Sequence, residues 1–330
     1  MPQNPLNLVT QKRLTNDDIR WLDNATVFAI FRALSACYQR RVSIEHFTYN
    51  IRNGKIWVKD AKKYNKALIK ENYKFLMGYL KSKINLQGKK IYIPKNIGYA
   101  LPISEKSFVG NIPVGTSFYG NKLAVGVYWR NDWGAVDLDI SGLNIGGKVG
   151  WDSAYNMEDE LYYSGDITYA PNGAVEYLYA NEGLSEPTLV INNVYEGNKD
   201  CKYKLIIGKG DKISVPYMMN PNNLFVDLTT KSAAKQTILG MFMPVSAEKQ
   251  QFIVINKAFG NRNISSNNPI TNKALAAFYE KWTHQLSLIK VLKELGATIV
   301  TTQKGRKNAD VDLSLEVLEK DTIINLFMKK

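Results

Sequence analysis

A succession of short β-rich runs between residues 97 and 260 constrains the fold more than any other feature of this chain. Val, Ile, Phe and Tyr dominate the runs, which are KLAVGVYWR, AVEYLYA, PTLVINNVYEG, CKYKLIIG, NLFVDLT, TILGMFMPV and QQFIVINKAF. β-branched and aromatic residues favour strands, and the Gly, Asn and Pro residues between the runs favour turns. Because no helical pattern intervenes, the runs predict two packed antiparallel sheets, a β-sandwich.

The segments on either side of these runs carry helical patterns. Residues 15–40 predict one helix, because apolar residues recur there at three- and four-residue steps. Residues 65–84 predict a basic amphipathic helix. Residues 271–296 predict a third helix, which Gly296 would stop.

Shorter signals complete the two ends of the chain. Asn53 and Gly54, between two alternating apolar runs, predict a hairpin turn. KKIYIPKNIGYALPI and ATIVTT predict strands, and SLEVLEKDTIINLFMKK predicts a closing helix. The chain is therefore predicted to be mainly β with α flanks, an α+β protein. We predict a basic helical region at 1–96, a β-sandwich at 97–260 and a small α/β region at 261–330.

Composition restricts the class of protein. A hydrophobic fraction of 45% and a charged fraction of 22% are typical of a soluble globular protein. The sequence shows no secretory signal, and no uncharged apolar run reaches the roughly 18 residues of a membrane span. Cys37 and Cys201 match no metal or redox spacing, which predicts two buried free thiols. We therefore expect a cytoplasmic protein without a transmembrane segment.

The charge of the chain is unevenly distributed. The formal net charge is +13 overall, but it is +13 within residues 1–110, −9 within 111–200 and +9 within 201–330. The acidic block concentrates its carboxylates within thirty residues, at Asp137, Asp139, Asp152, Glu158, Asp159, Glu160 and Asp166. Such a concentration of like charges in a basic chain requires a physical explanation.

A pair of aspartates within the acidic block suggests one explanation for this concentration of charge. Asp137 and Asp139 lie two residues apart in the predicted strand VDLDIS, so their side chains point to the same face. Like charges on one face repel unless a cation or hydrogen-bond donors compensate them. Asp166, after a Ser-Gly turn, is a candidate third ligand, and Glu176 is a candidate fourth. Such oxygen ligands suit a hard cation such as Ca²⁺.

The same carboxylates allow two other interpretations. An EF-hand loop starting at Asp137 would need a bidentate Glu at its twelfth position, where this chain has Lys148, and its flanks would have to be helical. The EF-hand is therefore excluded. The alternative that stays open is a set of solvated carboxylates at strand ends and turns.

The segments AVGVYWRNDWGAVDLDISGLNIGGKV, YYSGDIT and GAVEYLYANEGLSEPTLVINNVYEG, in this order, resemble the TerD family of tellurite-resistance and stress-response proteins. The resemblance covers residues 97–260, and the outer segments are similar to a longer bacterial subgroup with TerD as its middle domain. It implies a calcium-binding β-sandwich that holds Ca²⁺ with Asp137, Asp139 and Asp166. The chain departs from the family in lacking a DDE element after SGD, since only Glu176 remains there. This departure bears on the affinity and the number of sites.

Catalytic motifs are scarce. The chain has two histidines, His46 and His284, which we expect to be structural or exposed, and it has no G-x-S-x-G, phosphate-loop or zinc spacing. A metal-dependent hydrolase stays open as an alternative, because a bound divalent cation can activate water. The sequence thus predicts a non-enzymatic calcium-binding protein of the stress-response or scaffold type. Its expected partners are proteins, either further copies of itself or components of a stress complex.

The basic ends suggest a second function. Tyr64 and Tyr73 could stack on bases beside a lysine-rich surface formed by Lys62, Lys63, Lys66, Lys70 and Lys74. The alternative is therefore a basic nucleic-acid-binding or scaffold protein, cellular or phage-encoded, that keeps the sandwich without a metal. The same lysines could instead lie on an anionic membrane surface or form an ordinary solvated helix face. We expect any nucleic-acid binding to be weak and non-specific, because the acidic block interrupts the positive surface.

Overall fold

Strands make up most of the regular structure between residues 108 and 259, and most of the helices precede residue 84 or follow residue 268. A computed structural model describes residues 5–50, 55–210, 221–232, 234–259, 263–264 and 269–328. The predicted α+β class is confirmed, with β structure predominating and helices towards both ends. No described helix is long and apolar enough to cross a bilayer.

The regular elements are numbered in chain order. The helices are α1 (Pro5–Gln11), α2 (Ile19–Asp23), α3 (Val27–Arg40), α4 (Lys66–Lys83), α5 (Pro269–Thr283), α6 (Leu288–Glu294), α7 (Gln303–Arg306) and α8 (Lys320–Asn325). The strands are β1 (His46–Asn50), β2 (Lys55–Asp60), β3 (Lys90–Tyr92), β4 (Ile97–Gly98), β5 (Phe108–Val109), β6 (Ile112–Pro113), β7 (Ser117–Gly120), β8 (Leu123–Trp129), β9 (Ala135–Leu143), β10 (Lys148–Gly150), β11 (Asn156–Met157), β12 (Leu161–Tyr163), β13 (Ala174–Ala180), β14 (Thr188–Gly197), β15 (Lys202–Lys209), β16 (Leu224–Lys231), β17 (Gln236–Ser246), β18 (Lys249–Phe259), β19 (Thr298–Val300) and β20 (Val311–Asp312).

The described residues fall into two units. One, called here the flanking unit, lies within Met1–Phe47, Asp60–Thr116 and Glu280–Lys330. The other, the sandwich unit, lies within Thr48–Lys59 and Ser117–Tyr279. Contacts thus place segments from both ends of the chain in one unit, whereas the boundaries expected at residues 96 and 260 remain a prediction.

The sandwich unit consists mainly of two sheets. The first has the strand order β1-β2-β18-β17-β14-β9-β10, and the second has the order β11-β12-β13-β8-β15-β16. Leu138 and Ile140 of β9 are fully buried, as is Leu178 of β13. A Cβ added to Gly142 of β9 would lie 2.7 Å from Leu161 Cδ2 and 3.2 Å from Leu178 Cδ1. This face of β9 therefore packs directly against the second sheet, as in a β-sandwich.

The flanking unit has a small parallel sheet in the order β19-β3-β20. The predicted strands around Ile91 and Ile299 are confirmed, and these two residues pair in register. Helices α3 and α4 pack together, and Phe31 meets Phe327 edge to face with ring centroids 4.7 Å apart. Residues from the two ends of the chain therefore share one core.

Two predicted helices are each interrupted once. The helix expected over 15–40 consists of a 3₁₀ turn and α2, followed by α3, which begins after Thr26. The helix expected over 271–296 ends at Thr283, and α6 begins after Ser287. The hydroxyls of Thr26 and Ser287 accept hydrogen bonds from the third residue of the following helix. Such caps satisfy N–H groups of a new first turn, so a helix can restart within a continuous apolar pattern.

Other local predictions had mixed outcomes. Helix α4 confirms the predicted basic amphipathic helix, and Gly296 has the left-handed φ of +97° expected of a helix stop. The closing helix is shorter than predicted, because α8 covers only Lys320–Asn325. Cys37 and Cys201 are buried and free, as expected. The hairpin turn at 53–54 lies outside the described residues.

Candidate metal centre

Strand β9 places the first two acidic residues. Leu138 and Ile140 face the second sheet, so the alternation of a strand directs Asp137, Asp139 and Ser141 to the opposite face. Asp137 and Asp139 are nevertheless only 5% and 2% exposed. The strand therefore buries two carboxylates side by side on one of its faces.

Asp166 completes an acidic triad, defined here as Asp137, Asp139 and Asp166. It lies in the loop after β12 and is exposed, and one carboxylate oxygen from each of the three residues lies within 4.8 Å of the others. The sequence-predicted association of these three residues is therefore present in the structure. A group of three carboxylates can bind a metal ion, and Asp166 leaves one side of the triad open to solvent.

Two of these carboxylates have oxygens that lack hydrogen-bond partners. Among the described residues, no group donates to Asp137 Oδ1, Asp139 Oδ2 or the hydroxyl of neighbouring Ser141, although all three atoms are buried. A buried polar atom without a partner costs free energy, and a buried charge costs more. The donor set fits a hard cation, because it offers oxygen atoms only and two of its buried carboxylate oxygens accept no hydrogen bond from the described residues.

The electrostatics of the triad show the same lack of compensation. Burial, followed by the charges of Asp166 and Glu196, raises the pKa of Asp137 to about 6. Burial, followed by the charges of Asp137, Asp166 and Asp152, raises the pKa of Asp139 to about 7. Both directions mean that the folded chain disfavours the ionised carboxylates until a positive charge is supplied.

Lys148 supplies a positive charge close to the triad. The sequence pattern did not predict this position for Lys148. Its ammonium forms an ion pair with Asp152, and its charge lowers the pKa of Asp139 against the larger opposing effects. Lys148 thus compensates part of the local negative charge. It leaves Asp139 Oδ2 without a hydrogen bond.

Glu176, the predicted fourth ligand, is fully buried on β13 next to the triad. Its Oε2 accepts a hydrogen bond from Ile140 N at 3.0 Å, and its Oε1 accepts one from Ile167 N at 2.8 Å. Burial raises the pKa of Glu176 to about 8, although these two backbone hydrogen bonds act in the opposite direction. Its carboxylate is not among the three that the structure groups within 4.8 Å.

A cleft with a volume of about 380 Å³ opens beside Asp139. Trp151 and Tyr195 line it, and their rings meet edge to face with centroids 5.4 Å apart. Asn193, directly opposite Asp139 on β14, lines it too. Ser141 and Leu143 of the lining could have been predicted, because they follow Asp139 on the same face of β9 at two- and four-residue steps. The remaining lining residues come from other parts of the chain.

The lysines proposed for nucleic-acid binding are exposed in and just before α4, at Lys62, Lys63, Lys66, Lys70 and Lys74. The two tyrosines expected to stack on bases have partners within the flanking unit. The Arg40 guanidinium lies 5.0 Å from the centroid of the Tyr64 ring, and the Tyr73 hydroxyl donates to Glu294 Oε1 at 3.0 Å. The lysine surface is present, but its aromatic residues are engaged elsewhere.

No protein-family model, curated protein or solved structure matches this chain. The resemblance to the TerD family therefore remains a proposal, and the interpretation of the acidic triad depends on its own geometry.

Proposed function

We propose that the sandwich unit binds Ca²⁺ at the acidic triad, and that the chain is a non-enzymatic calcium-binding protein of the stress-response or scaffold type implied by the TerD resemblance. One observation carries the calcium proposal. Asp139 is 2% exposed and lies beside two other carboxylates, and its Oδ2 has no hydrogen-bond partner among the described residues.

A bound cation accounts for this arrangement energetically. Burial, and then repulsion among these two carboxylates and the third nearby, raises the pKa values of Asp137 and Asp139. Removing a charged group from water without compensation costs several kcal/mol, to order of magnitude. A divalent cation turns the repulsion among the three carboxylates into attraction towards a common centre.

Several features favour Ca²⁺ over other metals. The triad offers carboxylates only, whereas zinc sites usually include His or Cys. The ligand oxygens lie no more than 4.8 Å apart, a separation that fits across a Ca²⁺ ion with oxygens about 2.3–2.6 Å away. Calcium tolerates irregular geometry, and solvent can complete its shell on the side of exposed Asp166.

Thermal unfolding with and without Ca²⁺ tests the proposal. A ligand that binds only the native state stabilises it, by about 2.7 kcal/mol at a hundredfold excess over Kd, so the wild-type Tm should rise by several degrees. Asp139→Asn should abolish most of the rise. Asp227→Asn is a matched control, because this exposed β16 carboxylate pairs with Lys204 and should leave the rise unchanged. A wild-type Tm that is insensitive to millimolar Ca²⁺ would refute the proposal.

Lys148 favours a second candidate, a scaffold that keeps the sandwich without a metal. Its ammonium already lies close enough to lower the pKa of Asp139 and to pair with Asp152. In that case Lys148→Met should destabilise the protein equally with and without Ca²⁺. For a calcium protein, the same substitution should leave calcium binding intact or strengthen it, because it removes a competing positive charge.

A further inference from the structure

The loop that carries Asp166 has two attachments to β13. Ser164 N donates to Tyr177 O at 3.0 Å, and Ser164 Oγ accepts from Tyr177 N at 2.9 Å. One residue past Asp166, Ile167 N donates to Glu176 Oε1 at 2.8 Å. Asp166 is therefore held between two points on adjacent residues of one strand.

The other oxygen of Glu176, Oε2, contacts β9 at the position where the pairing of β9 with β10 ends. The pairing of β10 with β9 ends with Gly150 opposite Ser141. At the next position along β9, Ile140 N donates to Glu176 Oε2 at 3.0 Å. A side-chain carboxylate thus takes the place that a backbone carbonyl of a neighbouring strand would fill.

Each of these two amides immediately follows a member of the acidic triad. Ile140 follows Asp139, and Ile167 follows Asp166. Through its two oxygens Glu176 connects the backbones that carry these ligands, and its complete burial keeps water from competing for either hydrogen bond.

We infer that Glu176 is a positioning residue that fixes the Asp166 loop against the edge of β9, so that Asp139 and Asp166 are held near each other before any cation arrives. The consequence of this positioning, a higher calcium affinity, rests on the proposed calcium function. The connection itself exists whether or not the protein binds calcium. Glu176 acts through backbone amides, which distinguishes it from a calcium ligand.

The test combines Glu176→Gln with calorimetric Ca²⁺ titration and NMR hydrogen exchange of single amides in calcium-free protein. A glutamine has one carbonyl oxygen, so its NH₂ group would oppose one of the two backbone N–H groups and break that hydrogen bond. We expect the amide of Ile140 or Ile167 to exchange at least about tenfold faster, and calcium affinity to fall by about tenfold or more. A purely structural role would lower Tm but leave affinity unchanged.

Glu160→Gln is the matched control. Glu160 Oε2 also accepts a hydrogen bond from a backbone amide, that of Ser185 at 2.9 Å, in the same unit. Its substitution should leave calcium affinity and the exchange of the Ile140 and Ile167 amides unchanged. If it weakens calcium binding as much as Glu176→Gln does, the inference is wrong.

The remaining outcomes are decisive. Unchanged affinity in Glu176→Gln, or reduced affinity with both amides as protected as in the wild type, would overturn the inference, the latter by indicating a direct ligand. If this variant does not fold, Ser164→Ala tests the other attachment and should weaken calcium binding a few-fold. An unchanged affinity there would overturn the inference. If the wild type binds no calcium, the proposed function fails, and amide exchange alone still decides whether Glu176 holds the loop.

Discussion

The flanking unit and the sandwich unit each bury a polar side chain, and the two differ in how that side chain is satisfied. In the flanking unit, fully buried Asn72 donates to Val9 O and Lys12 O, both at 2.9 Å, and accepts from Leu14 N at 2.8 Å. In the sandwich unit, Asp139 is almost as deeply buried, yet its Oδ2 has no partner among the described residues. The side chain of Asn72 is thus satisfied by groups of its own unit, whereas the carboxylate of Asp139 is only partly satisfied.

Carboxylates show the same contrast. Burial opposes ionisation of Asp312 in the flanking unit, but hydrogen bonds from Ser314 and Arg306 outweigh it and hold the pKa of Asp312 below its usual value. Arg306 Nε lies 2.7 Å from Asp312 Oδ2. The pKa of Asp139 is raised, because burial and neighbouring carboxylates act together. A carboxylate compensated by its own chain has a structural role, whereas an uncompensated one beside a cleft is a candidate functional group.

Asn72→Ala should give the largest effect. It leaves three backbone groups without partners in the core of the flanking unit, so we expect a loss of about 3–5 kcal/mol in the free energy of unfolding. Urea denaturation measures it. Asn24→Ala is the control, because the exposed side chain of Asn24 donates to Arg20 O at the protein surface, and it should cost no more than about 0.5 kcal/mol. If both variants lost the same unfolding free energy, Asn72 could not serve as the satisfied buried side chain in the comparison with Asp139.

Asp139→Asn should have the opposite sign in calcium-free protein. Replacing a buried carboxylate that repels its neighbours by a neutral isostere should raise the free energy of unfolding at pH 8 by about 1–3 kcal/mol. A loss of stability in calcium-free buffer would contradict the view that Asp139 is uncompensated.

The raised pKa of Asp139 determines how the stability of the calcium-free protein changes with pH. A folded pKa of about 7, above the ordinary value of 3.8, means that the folded state holds its proton more tightly. The stabilisation from Asp139 is therefore fully present below about pH 4 and is lost as the pH rises through 7. Calcium-free wild type should show this loss, and Asp139→Asn should show much less of it in urea denaturation at several pH values.

Asp312→Asn should destabilise the flanking unit by about 1–2 kcal/mol at pH 7, because it weakens a partly exposed ion pair and a backbone hydrogen bond. The lowered pKa of Asp312 means that its contribution is present at neutral pH and disappears in acid, the reverse of Asp139. Glu316→Gln is the control, since this 70% exposed carboxylate lies 3.3 Å from the same Arg306 and should matter little. The same pH trend for Asp312 and Asp139 would invalidate the contrast.

The smallest effect is expected from charge reversal of Lys62, Lys63 and Lys66. Filter binding of single-stranded DNA should be weak and should fall steeply with salt, and the variant should change it only slightly at physiological salt. The reason is that Tyr64 and Tyr73 are already engaged with Arg40 and Glu294. Sub-micromolar binding at physiological salt that the variant abolishes would favour the nucleic-acid alternative.

Local chemistry made several features predictable from the sequence. The face shared by Asp137 and Asp139 follows from the two-residue period of a strand, which needs no knowledge of distant residues. Helix α4 and the stop at Gly296 likewise follow from local periodicity and from the conformational freedom of glycine. The restarts after Thr26 and Ser287 were missed, because apolar periodicity continues across both breaks.

Sequence alone thus determined the α+β class, the β-rich middle of the chain and the acidic pair on β9, because each depends on residues close together along the chain. Tertiary structure decided the rest. The parallel pairing of Ile91 with Ile299, and the two hydrogen bonds of Glu176, join residues whose proximity depends on how whole strands pack. Sequence spacing marked Glu176 as a possible ligand, and only the packing of β13 beside β9 turned both its oxygens to backbone amides. Non-local contacts of this kind are set by the burial of the whole core and have no local sequence signature.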